Sequence, residues 1–292
     1  MEILKKLKLT GAKKRLNRST GGNIALFVFL GVVGIFMVLP LIYTVSNAFK
    51  PLDELFLFPP KILVKNPTME NFSTLSTLIS GSRVPFSRYI VNTFIITVSG
   101  TVGHVVLASA AAYPLEKHQF RGKKFLFSMV VMSLMFSPVV TNIPNYLVIS
   151  KLGINNTYLA IILPAFSSSL GLYLMKQFIS QIPDSLIESA RLDGANEIRI
   201  WASIVMPNVK PAQYTLILLM FQSLWGNDGG GFLRSEQLKP LNYALNQIVQ
   251  GGIARAGASG AVGLILLSVP ILFFVITQSN IIETMATSGM KD

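Results

Sequence analysis

Carboxylates and guanidinium groups recur at helical spacing between two apolar runs in the stretch from Pro183 to Pro207. Leu186, Ile187 and Ala190 fall on one helical face, while Glu188 and Arg191, three residues apart, fall on another. Pro183 and Asp184 suit a helix start, with the aspartate at the positive end of the helix dipole. Gly194 suits a helix stop, and a second helix is expected from Asn196 to Met206, ended by Pro207. A helix this short is marginal alone in water, so the amphipathic hairpin must pack against something.

Other chemistry is absent from the chain. No Gly-x-x-x-x-Gly-Lys-Ser/Thr loop occurs, so ATP is not bound by that device. Neither Gly-x-Ser-x-Gly nor His-Glu-x-x-His is present. With no cysteine, disulfides and thiolate metal sites are excluded, and His104 and His118 are too few for a histidine-based metal centre. No catalytic, cofactor-binding or metal site is expected, and the chain is not expected to be an enzyme.

The elements that must position the hairpin are apolar. Of 292 residues, 51% are hydrophobic and 13% charged, against about 25% charged in soluble domains. A mean hydropathy of +0.55 points to a polytopic membrane protein. The net charge of +12 fits basic residues flanking membrane spans, and nothing supports nucleic-acid binding. Windows 19–49, 89–115, 125–150, 152–175 and 256–282 hold no Asp, Glu, Lys or Arg, and each suffices for a crossing of roughly 20 residues. A sixth window, 211–227, is at the lower limit and is read as a span, with a broken or re-entrant helix as the alternative.

Orientation follows from Lys and Arg. With the N-terminus inside, 16 of the 25 basic residues lie on the inner side, including Lys13-Lys14-Arg15 and Arg121-Gly122-Lys123-Lys124 beside span ends. Both termini are therefore expected in the cytoplasm. The fold class is an all-α integral membrane protein with six transmembrane helices: a basic cytoplasmic segment 1–23, a six-span transmembrane domain 24–282 with a cytoplasmic loop at 176–211, and a cytoplasmic tail 283–292. The N-terminus is not expected to be a cleaved signal, because its apolar run is too long.

Within the second window, Gly100, Gly103 and the run from Ala108 to Ala112 allow close helix approach. Pro138 and Pro144, beside Asn142 and Asn145, predict a kink next to a wet cavity in the third. An outer segment at 226–261 is glycine-rich, with a short helix expected over Leu238 to Val249. Asn92, His104, Asn142, Asn145 and Gln222 are polar residues inside the windows, suited either to interhelical hydrogen bonds or to a solute path. Since no ionisable relay crosses the membrane, uphill transport would need an outside energy source.

At this point the hairpin shows a resemblance. Glu188-Ser189-Ala190, three residues, Gly194, nine residues, then Ile204-Val205-Met206-Pro207 resembles the EAA motif of binding-protein-dependent ABC importer permeases. Ser189 and Met206 depart from its alanine and leucine. Ala111-Ala112-Tyr113-Pro114-Leu115 with Phe120-Arg121-Gly122, and Trp225 with Asn227, resemble segments of the maltose-type sugar permeases. Ser235 to Lys239, Tyr243 to Gln247 and the tail from Glu283 to Asp292 resemble the branch that handles oligosaccharides.

The resemblance implies a type I importer fold in the bacterial plasma (inner) membrane. It implies a second permease subunit, in this family a different one, together with two ATP-binding subunits and an extracellular or periplasmic solute-binding protein. ATP and Mg would then sit in the partner ATPases. Glu188, Ser189, Ala190, Asp193 and Gly194 would form the coupling helix seated in an ATPase cleft, with Glu188 paired to a basic ATPase residue and Gly194 giving the turn. An ion-coupled secondary carrier, a membrane scaffold and an ABC permease for a non-sugar solute are the rival readings.

Overall fold

The computed structural model describes residues 20–81 and 84–288. The cluster Lys13-Lys14-Arg15 and the last four residues of the tail lie outside the described residues. Every regular element among the described residues is helical. The described elements begin with α1 (Thr20–Phe49), a short α2 (Leu52–Leu55) and α3 (Glu70–Ser80). Prolines at 51, 59, 60 and 67 keep α2 and α3 apart, as the missing N–H of proline requires. Next comes α4 (Phe86–Lys117), the helix on which the rest of the bundle is built.

The third apolar window is two helices, α5 (Lys123–Ser133) and α6 (Pro138–Lys151). Its break is deeper than a kink. Pro138 cannot donate to the preceding turn, so α6 starts afresh with Ser137 as N-cap, its Oγ accepting the Val139 N–H at 3.4 Å. The fourth window is helical later in the sequence than the 152–175 expected. Gly153 at φ +69° and Asn156 at φ +61° turn the chain, and helix resumes only at α7 (Leu159–Phe166) and α8 (Ser169–Ile179). Among the described residues, four helical segments are long and apolar enough to cross a membrane: Gly21–Phe49, Phe86–Lys117, Leu159–Ile179 and Ala256–Gln278.

Beyond α8 lies the hairpin, α9 (Asp184–Leu192) followed by α10 (Glu197–Ile200). Pro207 does not end its second arm. The backbone widens into a π-helical turn over Trp201–Val205, where the Met206 N–H reaches the Trp201 carbonyl, and continues through α11 (Met206–Asn208) into α12 (Lys210–Trp225). A proline near the start of a helical segment loses no intrahelical bond, so the widened turn delivers Pro207 to a tolerated position. The predicted short helix is present as α13 (Leu241–Val249), ahead of α14 (Ala256–Ser288).

α4 packs against α7, α8 and α12, while α14 packs against α1, α3, α12 and α13. The glycines of α4 set the approach: a Cβ at Gly100 would overlap Leu224, and one at Gly103 would overlap the Phe166 ring. One core joins Val105, Ala112 and Tyr113 of α4 and Met175 and Ile179 of α8 to Ile187, Ile200 and Val205 of the hairpin arms. That shared core is what a hairpin of such short helices needs. Two further clusters form around Ile96, Ile161 and Leu224 and around Leu75, Leu245 and Val262.

Candidate functional site

α9 buries Ile187 and leaves Leu186, Glu188, Ser189, Leu192 and Asp193 exposed. At its end the Gly194 N–H bonds the Arg191 carbonyl at 3.0 Å and the Ala195 N–H bonds the Ala190 carbonyl at 3.0 Å. Gly194 has φ +79°, a left-handed conformation that closes the helix without a Cβ penalty. α10 is then opened by Asn196, whose Oδ1 accepts the Arg199 N–H at 2.8 Å. The tip so formed presents Leu192, 89% exposed, and Ile198, 75% exposed, beside the carboxylate of Glu188. Among the described residues Glu188 has no side-chain partner. The expected face shared with Arg191 does not become a pair, because Arg191 turns to Glu197 instead.

Glu197 is the centre of a cluster on the opposite side of the hairpin. Its Oε1 accepts Arg191 Nε at 2.9 Å from the first arm. Oε2 accepts the Tyr113 hydroxyl at 2.7 Å and lies 3.0 Å from His118 Nε2, one in the last turns of α4 and the other its C-cap. The Arg191 guanidinium beside it, then the Tyr113 hydroxyl, hold the Glu197 carboxyl down at about 2. Arg191 NH2 also lies 3.0 Å from His118 Nε2. That nitrogen can accept from Arg191 or donate to Glu197, and its tautomer decides which.

Two more ties surround the cluster. Lys117 Nζ donates to the Ile182 carbonyl and pairs with Asp184 at 2.7 Å, which holds the Asp184 carboxyl below its ordinary range. Glu116 pairs with Lys176 of α8 at 2.5 Å. The start of α9, both arms of the hairpin and the end of α8 therefore meet the last turns of α4. Glu197 and Lys117 escaped the sequence reading, as did the part that Tyr113 and His118 play in this cluster. The one local signal was an acidic residue directly after the N-cap Asn196, on the side facing Arg191 across Gly194.

The polar residues of the spans divide. Asn92 is fully buried: its Nδ2 donates to the carbonyls of Gln237 and Lys239 at 2.8 Å each, and its Oδ1 accepts the Tyr158 hydroxyl at 2.7 Å. His104 is also fully buried, with Nδ1 3.2 Å from the Phe166 carbonyl. Asn142, Asn145 and Gln222 are exposed. Asn142 lines a crevice of about 470 Å3 with Tyr146, Asn227, Asp228 and Phe232.

Comparison with known proteins places this arrangement. The family described as the binding-protein-dependent transport system inner membrane component matches residues 74–285. Protein LplC of Bacillus subtilis (strain 168) is 32% identical over 232 residues, covering 77% of this chain and 75% of the relative. The polygalacturonan/rhamnogalacturonan transport system permease protein YtcP of the same organism is 30% identical over 240 residues, 82% of this chain and 80% of the relative. Among solved structures, a chain of a bacterial ABC transporter involved in the import of the acidic polysaccharide alginate aligns with TM-score 0.75 at 23% identity, covering 92% of this chain and 99% of that one, and so shares the fold. With the family model spanning most of its length, the chain belongs to the binding-protein-dependent transport system inner membrane components, the permease subunits of ABC importers.

Proposed function

We propose that this permease carries an oligosaccharide into a bacterial cell, driven by ATPase subunits that grip the Gly194 hairpin. The observation that carries the reading is the asymmetry of that hairpin. One face is packed into the core and tied to α4, while the tip offers Glu188, Leu192 and Ile198 with no occupant among the described residues. An exposed apolar tip next to an unpaired carboxylate is a docking surface for a cleft with a basic group. Glu188 supplies the charge, Ser189 and Ala190 keep the helix face slim, and Asp193 and Gly194 form the turn. ATP and Mg belong to the partner ATPases.

The saccharide assignment rests on relatives. Besides YtcP, the arabinooligosaccharides transport system permease protein AraQ of Bacillus subtilis (strain 168) is 25% identical over 273 residues. The six-span arrangement with both termini inside is supported by charge placement, with α5 and α6 together forming one crossing and the 16-residue α12 another. One chain brings one hairpin, so a second permease, a different chain, completes the pathway and serves the other ATPase. A solute-binding protein delivers the sugar from outside. The alginate transporter, whose fold this chain shares, has been solved together with a pentasaccharide-bound periplasmic protein. We assign the solute path to the exposed amides of Asn142, Asn145 and Gln222.

The test is purification of the chain with and without candidate ATPase subunits, reconstitution, and assay of hydrolysis and uptake with binding protein and oligosaccharide. ATP-dependent uptake that requires all components supports the reading. Uptake driven by an ion gradient without ATP would establish a secondary carrier instead.

A further inference from the structure

α4 is held by polar ties at both of its ends, and they differ from the apolar packing between. At the outer end Asn92 clamps the carbonyls of Gln237 and Lys239, the Thr93 hydroxyl accepts the Leu241 N–H at 2.7 Å, and the Tyr89 hydroxyl donates to Glu236 at 2.8 Å. These bonds fix the outer loop that leads into α13. At the inner end Tyr113 and His118 meet Glu197. Asn92 and Tyr113 are 21 residues apart, about 31 Å along a helix.

The weak point of such a rod is Pro114, which lies inside α4 and removes one rung of its hydrogen-bond ladder. Glu197 bridges that point. Tyr113 before the proline and His118 after it approach the same carboxylate oxygen, and their rings meet edge-on at 5.2 Å. Displacement of the hairpin therefore reaches α4 on both sides of its break. Along the middle, Gly100 and Gly103 seat α4 against Leu224 and Phe166 too closely for independent sliding.

We propose that Glu197 and Asn92 are paired positioning residues, and that α4 between them carries the state of the coupling hairpin to the outer loop 236–241 and back. Neither residue touches ATP or solute; each acts by fixing one end of α4. The inference rests on the importer reading, because it needs an ATPase beneath the hairpin and a binding protein above the outer loop. Coupling of this kind is reciprocal, so loss of either tie removes the same communication.

The experiment uses the complete transporter, with both permeases, its ATPases and its binding protein, in lipid nanodiscs. ATP hydrolysis is measured without binding protein and with saturating sugar-loaded binding protein. Glu197→Ala and Asn92→Ala are each expected to leave the unstimulated rate in place and to cut stimulation by about tenfold, within the usual range for coupling between sites. The double variant is expected to lose no more than either single one, because both interrupt one connection. Glu197→Gln, which keeps the acceptor for Tyr113, is expected to restore part of the stimulation. It also serves, with Tyr113→Phe, if the alanine variants fail to assemble. Full stimulation in the single variants, or losses that multiply in the double, would overturn the proposal. Equal loss of stimulated and unstimulated rates would do so too, since it marks a merely structural role. If the unaltered transporter shows no stimulation at all, the importer reading itself fails.

Discussion

Tyr113 and Glu197, 84 residues apart in sequence, meet through a 2.7 Å hydrogen bond from the tyrosine hydroxyl to Oε2. The bond turns the hairpin from a loop that follows α8 into a part bolted to α4. It also divides the acidic residues of the hairpin by role. Glu197 is spent inside the chain, whereas Glu188 has no bond among the described residues.

That division makes Glu188 a clean test of docking. Because Glu188 has no bond within the described residues, Glu188→Ala is expected to leave the fold and thermal unfolding of the permease unchanged. Truncating one member of a buried interface charge pair costs about 2–5 kcal/mol, so affinity for the ATPase is expected to fall by that amount. Binding measured by titration of detergent-solubilised permease with the ATPase decides the matter. Wild-type affinity and wild-type transport together would sink the role.

Gly194 separates backbone from packing. Nothing lies within 4 Å of a Cβ built there, yet its φ is +79°. The expected cost of Gly194→Ala is therefore conformational alone, about 1–2 kcal/mol. Gly194→Asn should cost less, because asparagine tolerates the left-handed region. Hydrogen exchange of the hairpin amides reads this directly. A larger loss for asparagine than for alanine would show that the turn is limited by space after all.

The pH dependence of the clasp has a fixed sign. Glu197 is held at about 2, below its ordinary 4.5, so its contribution to the hairpin is fully present above pH 4.5 and is lost as pH falls through about 2. Protease resistance of the hairpin is expected to stay level from pH 8 to pH 5. Isotope-edited infrared spectroscopy should find the Glu197 carboxylate still ionised at pH 4. A protonated carboxyl at that pH would mean that Arg191 and Tyr113 do not hold it.

How much of this was legible depends on the range of the interaction that decides each feature. Charge-free windows reveal burial in lipid, which each residue experiences locally, and so α1, α4 and α14 emerged with nearly correct limits. Gly194 and Asn196 act within one turn, and the motif spacing around them read correctly. Features set by backbone bookkeeping were harder. Pro138 broke its window into two helices, whereas Pro207 sat inside a continuing helix, because a π-helical turn before it changed the rung it had to fill. Pairs beyond one helical turn were invisible: Arg191 had Glu188 three residues away, but it bonds Glu197 across the turn and His118 at the end of α4. For Asn92 no local signal distinguished a clamp on Gln237 and Lys239 from a solute contact.

Glycine inside α4 yields the last prediction, because the same residue type serves opposite ends in α1. A Cβ at Gly103 would overlap the Phe166 ring, while one at Gly31 would meet nothing within 4 Å. Leucine at position 103 must therefore push α7 away from α4. Overpacking of a close-packed contact costs about 1–3 kcal/mol, and separation of these helices also strains the His104 contact with the Phe166 carbonyl. Leucine at position 31 adds only another apolar side chain to an already apolar surface. In detergent, Gly103→Leu is expected to lower the unfolding temperature of the isolated chain and Gly31→Leu to leave it in place. Equal effects of the two would mean that the small residues of α4 set helix propensity rather than the distance between α4 and α7.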